Sequence, residues 1–152
     1  MKIAVTGMLL AATLAGITAP VTAHADDVPS VDQVVAIMAE LTDPGIPAAN
    51  KGNIVTPGFS PDEAGTIDDH LNRSNAFGYL PYDFVVTDIE SAPANQAGAT
   101  VATTGGYRHR TGPAPIVLVN QGGHWLITHD SAATELDVFW RVANRYEPGF
   151  VK

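Results

Sequence analysis

The sequence predicts an α+β fold in which helices pack on one face of a curved, four-stranded antiparallel meander. Three observations support this class. Apolar residues recur at helical spacing in two segments before Tyr82, they alternate with a period of two in the segments after it, and a last helical segment follows His129. Helices and strands in this order along a chain typically form a layered α+β domain.

The first predicted helix begins after Ser30. Ser30 and Gln33 match a capping box, in which each side chain bonds the backbone N–H of the other residue. The turn sequence Asp43-Pro44-Gly45 ends this helix. Its inner face is expected to consist of five apolar residues at helical spacing: Val31, Val34, Val35, Met38 and Leu41.

The second predicted helix has the clearest start in the chain. Ser60 serves as the N-cap, Pro61 occupies the first helical position, and Asp62 and Glu63 lie in the first turn. Gly78 ends the helix region. The segment before it, residues 46–59, is rich in Pro, Gly and Asn, and only Ile54-Val55 could form a short strand there. The inner stripe of the helix is Ala64, Ile67, Leu71 and Ser74.

Four strands are predicted from the alternation of apolar and polar residues, at residues 83–90, 99–107, 115–121 and 124–129. Longer loops at residues 91–98 and 108–114 separate the first three. Gly122-Gly123 predicts a tight hairpin between the last two, because glycine reaches positive φ without steric cost. A last helix is predicted at residues 132–145, with Asp130 or Ser131 as its N-cap.

The two predicted faces of the last two strands are both apolar. Ile116, Leu118, Trp125 and Ile127 share the face with the larger side chains, so this face is expected to pack against the helices. The opposite face carries Val117, Val119, Leu126 and Thr128. A loop, a ligand or a second subunit is expected to cover that face, so a homodimer through it is one of the predicted partnerships.

Residues 1–25 are predicted to be a signal peptide. A lysine at position 2 precedes an uncharged apolar run, and Ala23 and Ala25 supply the small residues that a cleavage site requires. The run is shorter than the roughly 20 residues of a membrane-spanning helix. We therefore expect residues 26–152 to form a single secreted domain, located outside the cell or in the cell envelope.

The charge of the chain excludes some partners. The formal charge is −8, and loss of the one base in the predicted signal makes it −9. A chain this acidic repels polyanions, so neither nucleic acid nor an anionic membrane is expected as a partner. The sequence has no cysteine, which rules out disulfides within the domain and lipid attachment at an N-terminal cysteine.

The stretch "HWLITHDS" contains the residues of a hydrolase, but their spacing opposes that function. His124 and His129 are an odd number of residues apart, so on a strand they point to opposite faces and cannot share a metal ion. Ser131 lacks the Gly-x-Ser-x-Gly sequence of a nucleophile elbow. The pattern therefore predicts no catalytic residue, no metal site and no cofactor.

A short basic segment is unusual in this acidic chain. Arg108, His109 and Arg110 occur together in a predicted loop. A solvated hairpin loop explains them most simply. The alternative is a contact with an anion or an acidic partner, because guanidinium groups pair well with carboxylates and phosphates.

Three segments resemble the mycobacterial low-molecular-weight secreted antigen family: "LTDPGIPAANKGNIV", "FVVTDIESAPANQAGATV" and "IVLVNQGGHWLITHDSA". The resemblance extends over about residues 31–143. It implies an exported protein with a cone-like domain, similar to nuclear-transport-factor-like or cystatin-like folds, and it supplies no catalytic residues. It also implies recognition by host T cells. Family members can carry a long Ala/Pro-rich segment before the first helix, whereas only a few residues occupy that place here.

Two functions from different classes follow from these observations. The first is a secreted, non-enzymatic protein of unknown biochemical role, which either binds a protein partner or is simply exported and recognised by host immunity. The alternative is a small-ligand-binding protein or enzyme that uses the cavity of a cone-like fold. The residues expected to line such a pocket are Tyr82, Tyr107, Trp125 and His129.

Overall fold

The computed structural model describes residues 28–104 and 110–146 of the 152-residue chain. Its architecture is an open five-stranded sheet with three helices, so the α+β class is confirmed. A 3₁₀ helix at Ala48–Asn53 precedes the first strand. In chain order the other elements are α1 (Val31–Leu41), β1 (Val55–Thr56), α2 (Pro61–Ala76), β2 (Phe84–Ala92), β3 (Gln96–Thr103), β4 (Ala114–Gln121), β5 (His124–Thr128) and α3 (His129–Tyr146).

The sheet has one more strand than the sequence predicted. Its order is β1-β5-β4-β3-β2. The strands β2 to β5 pair antiparallel in sequence order, but β1 pairs with β5 in parallel, so the sheet is five-stranded and mixed rather than four-stranded and antiparallel. The Ile127 N–H donates to the Ile54 carbonyl at 2.8 Å. Val55 is 1% exposed, and burial of this side chain among the core residues accounts for the recruitment of so short a strand.

The predicted loop at residues 91–98 is instead part of a continuous β-hairpin. The strands β2 and β3 remain paired as far as Ala92 and Gln96. The chain reverses through Ala94 and Asn95, which have φ values of 62° and 57°. Asparagine tolerates this left-handed conformation well, so a tight turn is built without a central glycine, which the sequence pattern did not reveal.

The helix starts of α1 and α2 are confirmed in detail. The Gln33 side chain accepts from the Ser30 N–H at 2.8 Å, and the Ser30 hydroxyl accepts from the Gln33 N–H at 3.2 Å. The N-cap of α2 is Ser60, with Pro61 at its first position. Both helices are therefore fixed by side chains three residues apart, which a local sequence pattern can specify.

The start of α3 differs from the prediction. The helix begins at His129, so Asp130 and Ser131 lie inside its first turn rather than at its cap. The Ser131 hydroxyl accepts from the Val117 N–H at 2.9 Å and from the Thr128 hydroxyl at 3.0 Å. Ser131 thus replaces the strand partner that Val117 loses where β5 turns directly into α3.

The helices pack on the predicted face of the sheet. Ile116, Leu118, Trp125 and Ile127 are at most 9% exposed and belong to one core cluster with residues of all three helices. The inner face of α1 differs from the prediction, because Val31 is 49% exposed while Ile37 is buried.

No helix within residues 28–104 and 110–146 is long and apolar enough to cross a bilayer.

None of the three described helices packs on the opposite face of the sheet. Val85 is 44% exposed and Val117 is 38% exposed, and their neighbours on this face are mostly small or β-branched side chains. The outer strand β2 has a bulge at Asp88, with a φ of 52°. Such a bulge at a sheet edge hinders pairing with the strand of another molecule.

Candidate functional site

An apolar groove lies between α2 and α3, on the side of the molecule where both helices begin. Its volume is about 300 Å³, near the lower limit for small-molecule sites, and it is open to solvent along one side. Five of its lining side chains are apolar, and the remainder are two carboxylates and one threonine. The lining residues are Phe59, Asp62, Glu63, Thr66, Ile67, Ala133, Leu136 and Trp140.

The start of α2 fixes one end of the groove. The Glu63 carboxylate accepts from the Ser60 N–H at 2.8 Å and completes the capping box of this helix. The bond from the Ser60 N–H, together with the bond to the Ser60 hydroxyl, lowers the pKa of Glu63 below its ordinary value. Glu63 is therefore held in place and stays ionised at neutral pH.

His129, which the sequence analysis placed in a possible pocket, lies against this end of the groove. Its Nε2 is 3.1 Å from Oε1 of Glu63. The His129 ring also packs against Phe59, with ring centroids 5.5 Å apart. Because His129 is the first residue of α3, this pair connects the beginnings of the two helices that form the groove.

The other residues predicted for a pocket line different cavities: Tyr82 lines one of about 430 Å³ at the end of α1, and Trp125 lines two others that also include Gly123. Tyr82 packs its ring 4.9 Å from that of Phe139, and burial raises the pKa of Tyr82 to about 12. Trp125 is 9% exposed and belongs to the core on the helix face of the sheet. Tyr107 lies outside the described residues. The structure thus brings His129, but neither Tyr82 nor Trp125, to the groove between α2 and α3.

The basic segment can be located only in part. Arg110 is exposed, and Arg108 and His109 lie outside the described residues. Next to Arg110, Thr111 is buried, and its hydroxyl is 3.0 Å from that of Thr103. A threonine pair therefore fixes one end of this loop to β3.

Lys51 is a buried cation that residue patterns did not reveal. Its side chain has no exposed surface, and its ammonium donates to the main-chain oxygens of Glu40 at 2.6 Å and Asp43 at 2.9 Å. Burial lowers the pKa of Lys51, although nearby carboxylates oppose this effect. The ammonium satisfies carbonyls at the end of α1, so its role is to cap this helix.

Glu135 is a second buried acidic or basic residue that was not predicted from the sequence. It is 1% exposed, and its Oε1 has no hydrogen-bond partner in the described part of the chain. Burial raises the pKa of Glu135 to about 7. Helical periodicity contained the signal, because Glu135 lies one turn from both Ala132 and Phe139, which face the core.

His70 is a buried histidine on α2. The side chain is 6% exposed, and its ring centroid is 4.2 Å from that of Trp140 in an edge-on arrangement. Burial lowers the pKa of His70, which favours the neutral imidazole. Its contact with Trp140 helps to hold α3 against α2.

No group of three potential metal ligands occurs among residues 28–104 and 110–146.

The fold and the groove define a small α+β protein with a single open sheet and one helix layer. The family model described as "Low molecular weight antigen MTB12, C-terminal domain" matches residues 27–139, and the chain belongs to this family. The resemblance noted in the sequence is thereby confirmed.

Relatives in several mycobacteria share this domain. The chain is 36% identical to the low molecular weight antigen MTB12 of Mycobacterium tuberculosis and of Mycobacterium bovis, and 28% identical to the MTB12 homolog of Mycobacterium leprae. Each match covers 110 residues, which is 72% of this chain and 65% of the relative. The matched region thus spans less than two thirds of each relative's length.

Proposed function

We propose that this antigen-family protein is exported and acts by binding an apolar ligand in the groove between α2 and α3, without catalysis. The observation that carries the proposal is the groove itself. Its walls are apolar side chains from two helices, and the Glu63–His129 contact joins the beginnings of those helices. Small-molecule sites commonly combine such apolar walls with a few fixed polar groups.

The hydrogen bonds near the groove favour binding over catalysis. One oxygen of Glu63 accepts from the Ser60 N–H and the other faces His129, so the carboxylate already has structural partners. The Ser131 hydroxyl is likewise engaged by Val117 and Thr128. A general base or nucleophile must be able to reach a reacting atom, and these contacts oppose that use.

Export is part of the proposal because of the apolar run and the Ala23/Ala25 site near the N-terminus. We also propose that the domain is related to the cone-like nuclear-transport-factor-like or cystatin-like folds. The packing of the three described helices on one face of the antiparallel strands β2 to β5 supports that relationship. Neither an anionic membrane nor nucleic acid is proposed as a partner, because the chain carries a formal charge of −8.

Calorimetric titration of the purified protein with 1-octanol, an uncharged apolar probe, tests the groove. We expect saturable binding to one site. Ala133→Phe and Thr66→Phe each fill the groove from a different wall and should weaken binding at least about tenfold, while Thr134→Phe, on the exposed side of α3, should leave it unchanged. Equal affinity in all four proteins, or no binding to any, would refute the proposed site.

A second candidate is association of two copies through the open sheet face. The exposed Val85 and Val117 on a face without helices favour it. Light scattering should then give twice the monomer mass, and Val85→Lys/Val117→Lys should restore the monomer. A monomer at all concentrations would leave these valines as strand-forming residues on a solvated surface.

A further inference from the structure

The opening of the groove between α2 and α3 has an acidic rim beside apolar walls. Asp62 and Glu63 both line the groove, and none of its lining residues within the described part of the chain is a lysine or arginine. Asp130, which follows His129, has a fully exposed side chain and adds a third carboxylate near the same end. The groove therefore presents negative charge next to its apolar surface.

Two described arginines of α2 and α3 form ion pairs within their own helices. Arg73 forms an ion pair with Asp69 at 3.1 Å, and Arg141 forms one with Asp137. Among the described histidines, His129 faces Glu63 at the rim, and His70 packs against Trp140 further along the groove. The carboxylate of Asp62 is therefore available to a ligand, and Glu63, which already accepts from Ser60 and faces His129, adds negative charge beside it.

The helix dipoles do not reverse this polarity. The N-termini of α2 and α3 each contribute the equivalent of about half a positive charge. Asp62 and Glu63 contribute two full negative charges, and Glu63 already occupies the N–H of Ser60. The carboxylates thus outweigh the dipole of α2, and a ligand meets a net negative rim.

Aromatic rings on two sides of the groove favour the same class of ligand. Phe59 precedes α2, and Trp140 projects from α3. Phe59 lies at the carboxylate end of the groove, where its ring packs against His129, and an aromatic ring there can attract a cation. The carboxylates therefore suit a positively charged head group, while Ile67, Leu136 and Trp140 suit an apolar chain.

From this arrangement we propose that the groove binds a small cationic amphiphile, an ammonium group carrying an apolar tail, with the head group at Asp62 and Glu63. This inference rests on the proposed function, since it specifies the ligand of the same groove. Phosphate-bearing and carboxylate-bearing amphiphiles should be rejected, because their charge would approach the same carboxylates.

Three probes with the same tail separate the charge inference from the existence of the site. At low ionic strength we expect octylammonium to bind about tenfold more tightly than 1-octanol, and octanoate to bind more weakly than both. The advantage of octylammonium over 1-octanol should shrink severalfold in 0.5 M salt, because screening acts on the charged head group alone.

Removal of the two charges supplies the matched test. Asp62→Asn/Glu63→Gln keeps the size of both side chains and the capping box, and it should make octylammonium and 1-octanol bind equally well. The control Asp32→Asn/Glu90→Gln removes the same charge from exposed positions on α1 and β2 and should keep the preference for octylammonium over 1-octanol.

Equal binding of all three probes to the original protein would overturn the charge inference but leave the groove as a site. Binding of none would overturn both.

Discussion

The Lys51 ammonium, on a side chain with no exposed surface, donates to the main-chain oxygen of Glu40 at 2.6 Å. A second bond to the Asp43 oxygen places the same cation at the end of α1. These bonds link the helix to the 3₁₀ segment that leads into β1. Lys51, which the sequence showed only as part of the family-like segment "LTDPGIPAANKGNIV", is therefore a structural residue of the core.

Replacement of Lys51 by methionine should destabilise the protein. Methionine has a similar length but no donor, so the oxygens of Glu40 and Asp43 would lose their buried partner. We expect the free energy of unfolding to fall by about 2–4 kcal/mol. Urea denaturation measures this change. Asn53→Ala is the control, because Asn53 bonds the exposed side chain of the same Glu40 and should cost less than about 1 kcal/mol. Equal stability of Lys51→Met and the original protein would show that the cap contributes nothing.

Glu135 should make the protein less stable as the pH rises. Its pKa is about 7 in the folded state, above its ordinary value of 4.5, so between these values the folded state binds more protons than the unfolded state. Stability is therefore greatest below pH 4.5 with respect to this group, and it is lost as the pH rises through 7.

Glu135→Gln isolates this effect. The variant should match the original protein near pH 4 and exceed it by about 2–3 kcal/mol at pH 8 in urea denaturation, because glutamine cannot ionise. Asp137→Asn changes an exposed, ion-paired carboxylate on the same helix and should show the same small difference at both pH values. A pH-independent effect of Glu135→Gln would mean that the buried carboxyl does not titrate in this range.

Trp125 and Val117 should respond differently to truncation because they lie on opposite faces of the sheet. Trp125→Ala removes a core side chain and should cost about 3–5 kcal/mol. Val117→Ala acts on a residue that is 38% exposed and should cost less than about 1 kcal/mol. Thermal or urea unfolding of both variants measures this contrast, and a reversed order would place the core on the other face.

The N-terminal sequence supplies a prediction about export. Cleavage after Ala25 would leave a mature chain beginning at Asp26, and cleavage after Ala23 would leave one beginning at His24. Mass spectrometry of the culture medium identifies the terminus. Recovery of the full-length chain alone, in the membrane fraction, would contradict export.

Features determined by residues close in sequence were predictable. The capping box of Ser30 and Gln33, the Ser60 cap and the Gly122-Gly123 hairpin all depend on neighbours within three positions. The choice of the Trp125 face was also predictable, because side chains alternate along a strand and the larger ones were on one side.

Features that depend on distant segments were not predictable in the same way. A two-residue strand has no periodicity, so only the structure reveals that Val55 pairs with Ile127. The groove needs the beginnings of α2 and α3 side by side, which joins Glu63 to a histidine 66 positions later. The sequence predicted that His129 lines a pocket, but with Tyr82, Tyr107 and Trp125 as its neighbours. No local pattern connects His129 to Glu63.

The most direct test of the account is a ¹H–¹⁵N titration of the two tryptophan indole groups with octylammonium. Trp140 lines the groove, while Trp125 belongs to the core on the helix face of the sheet and lines no part of that groove. We predict a saturable shift of the Trp140 indole signal with an unchanged Trp125 signal, and loss of that response in Ala133→Phe. A shift of Trp125 alone, or no shift of either signal up to saturation of the probe, would contradict binding in the groove.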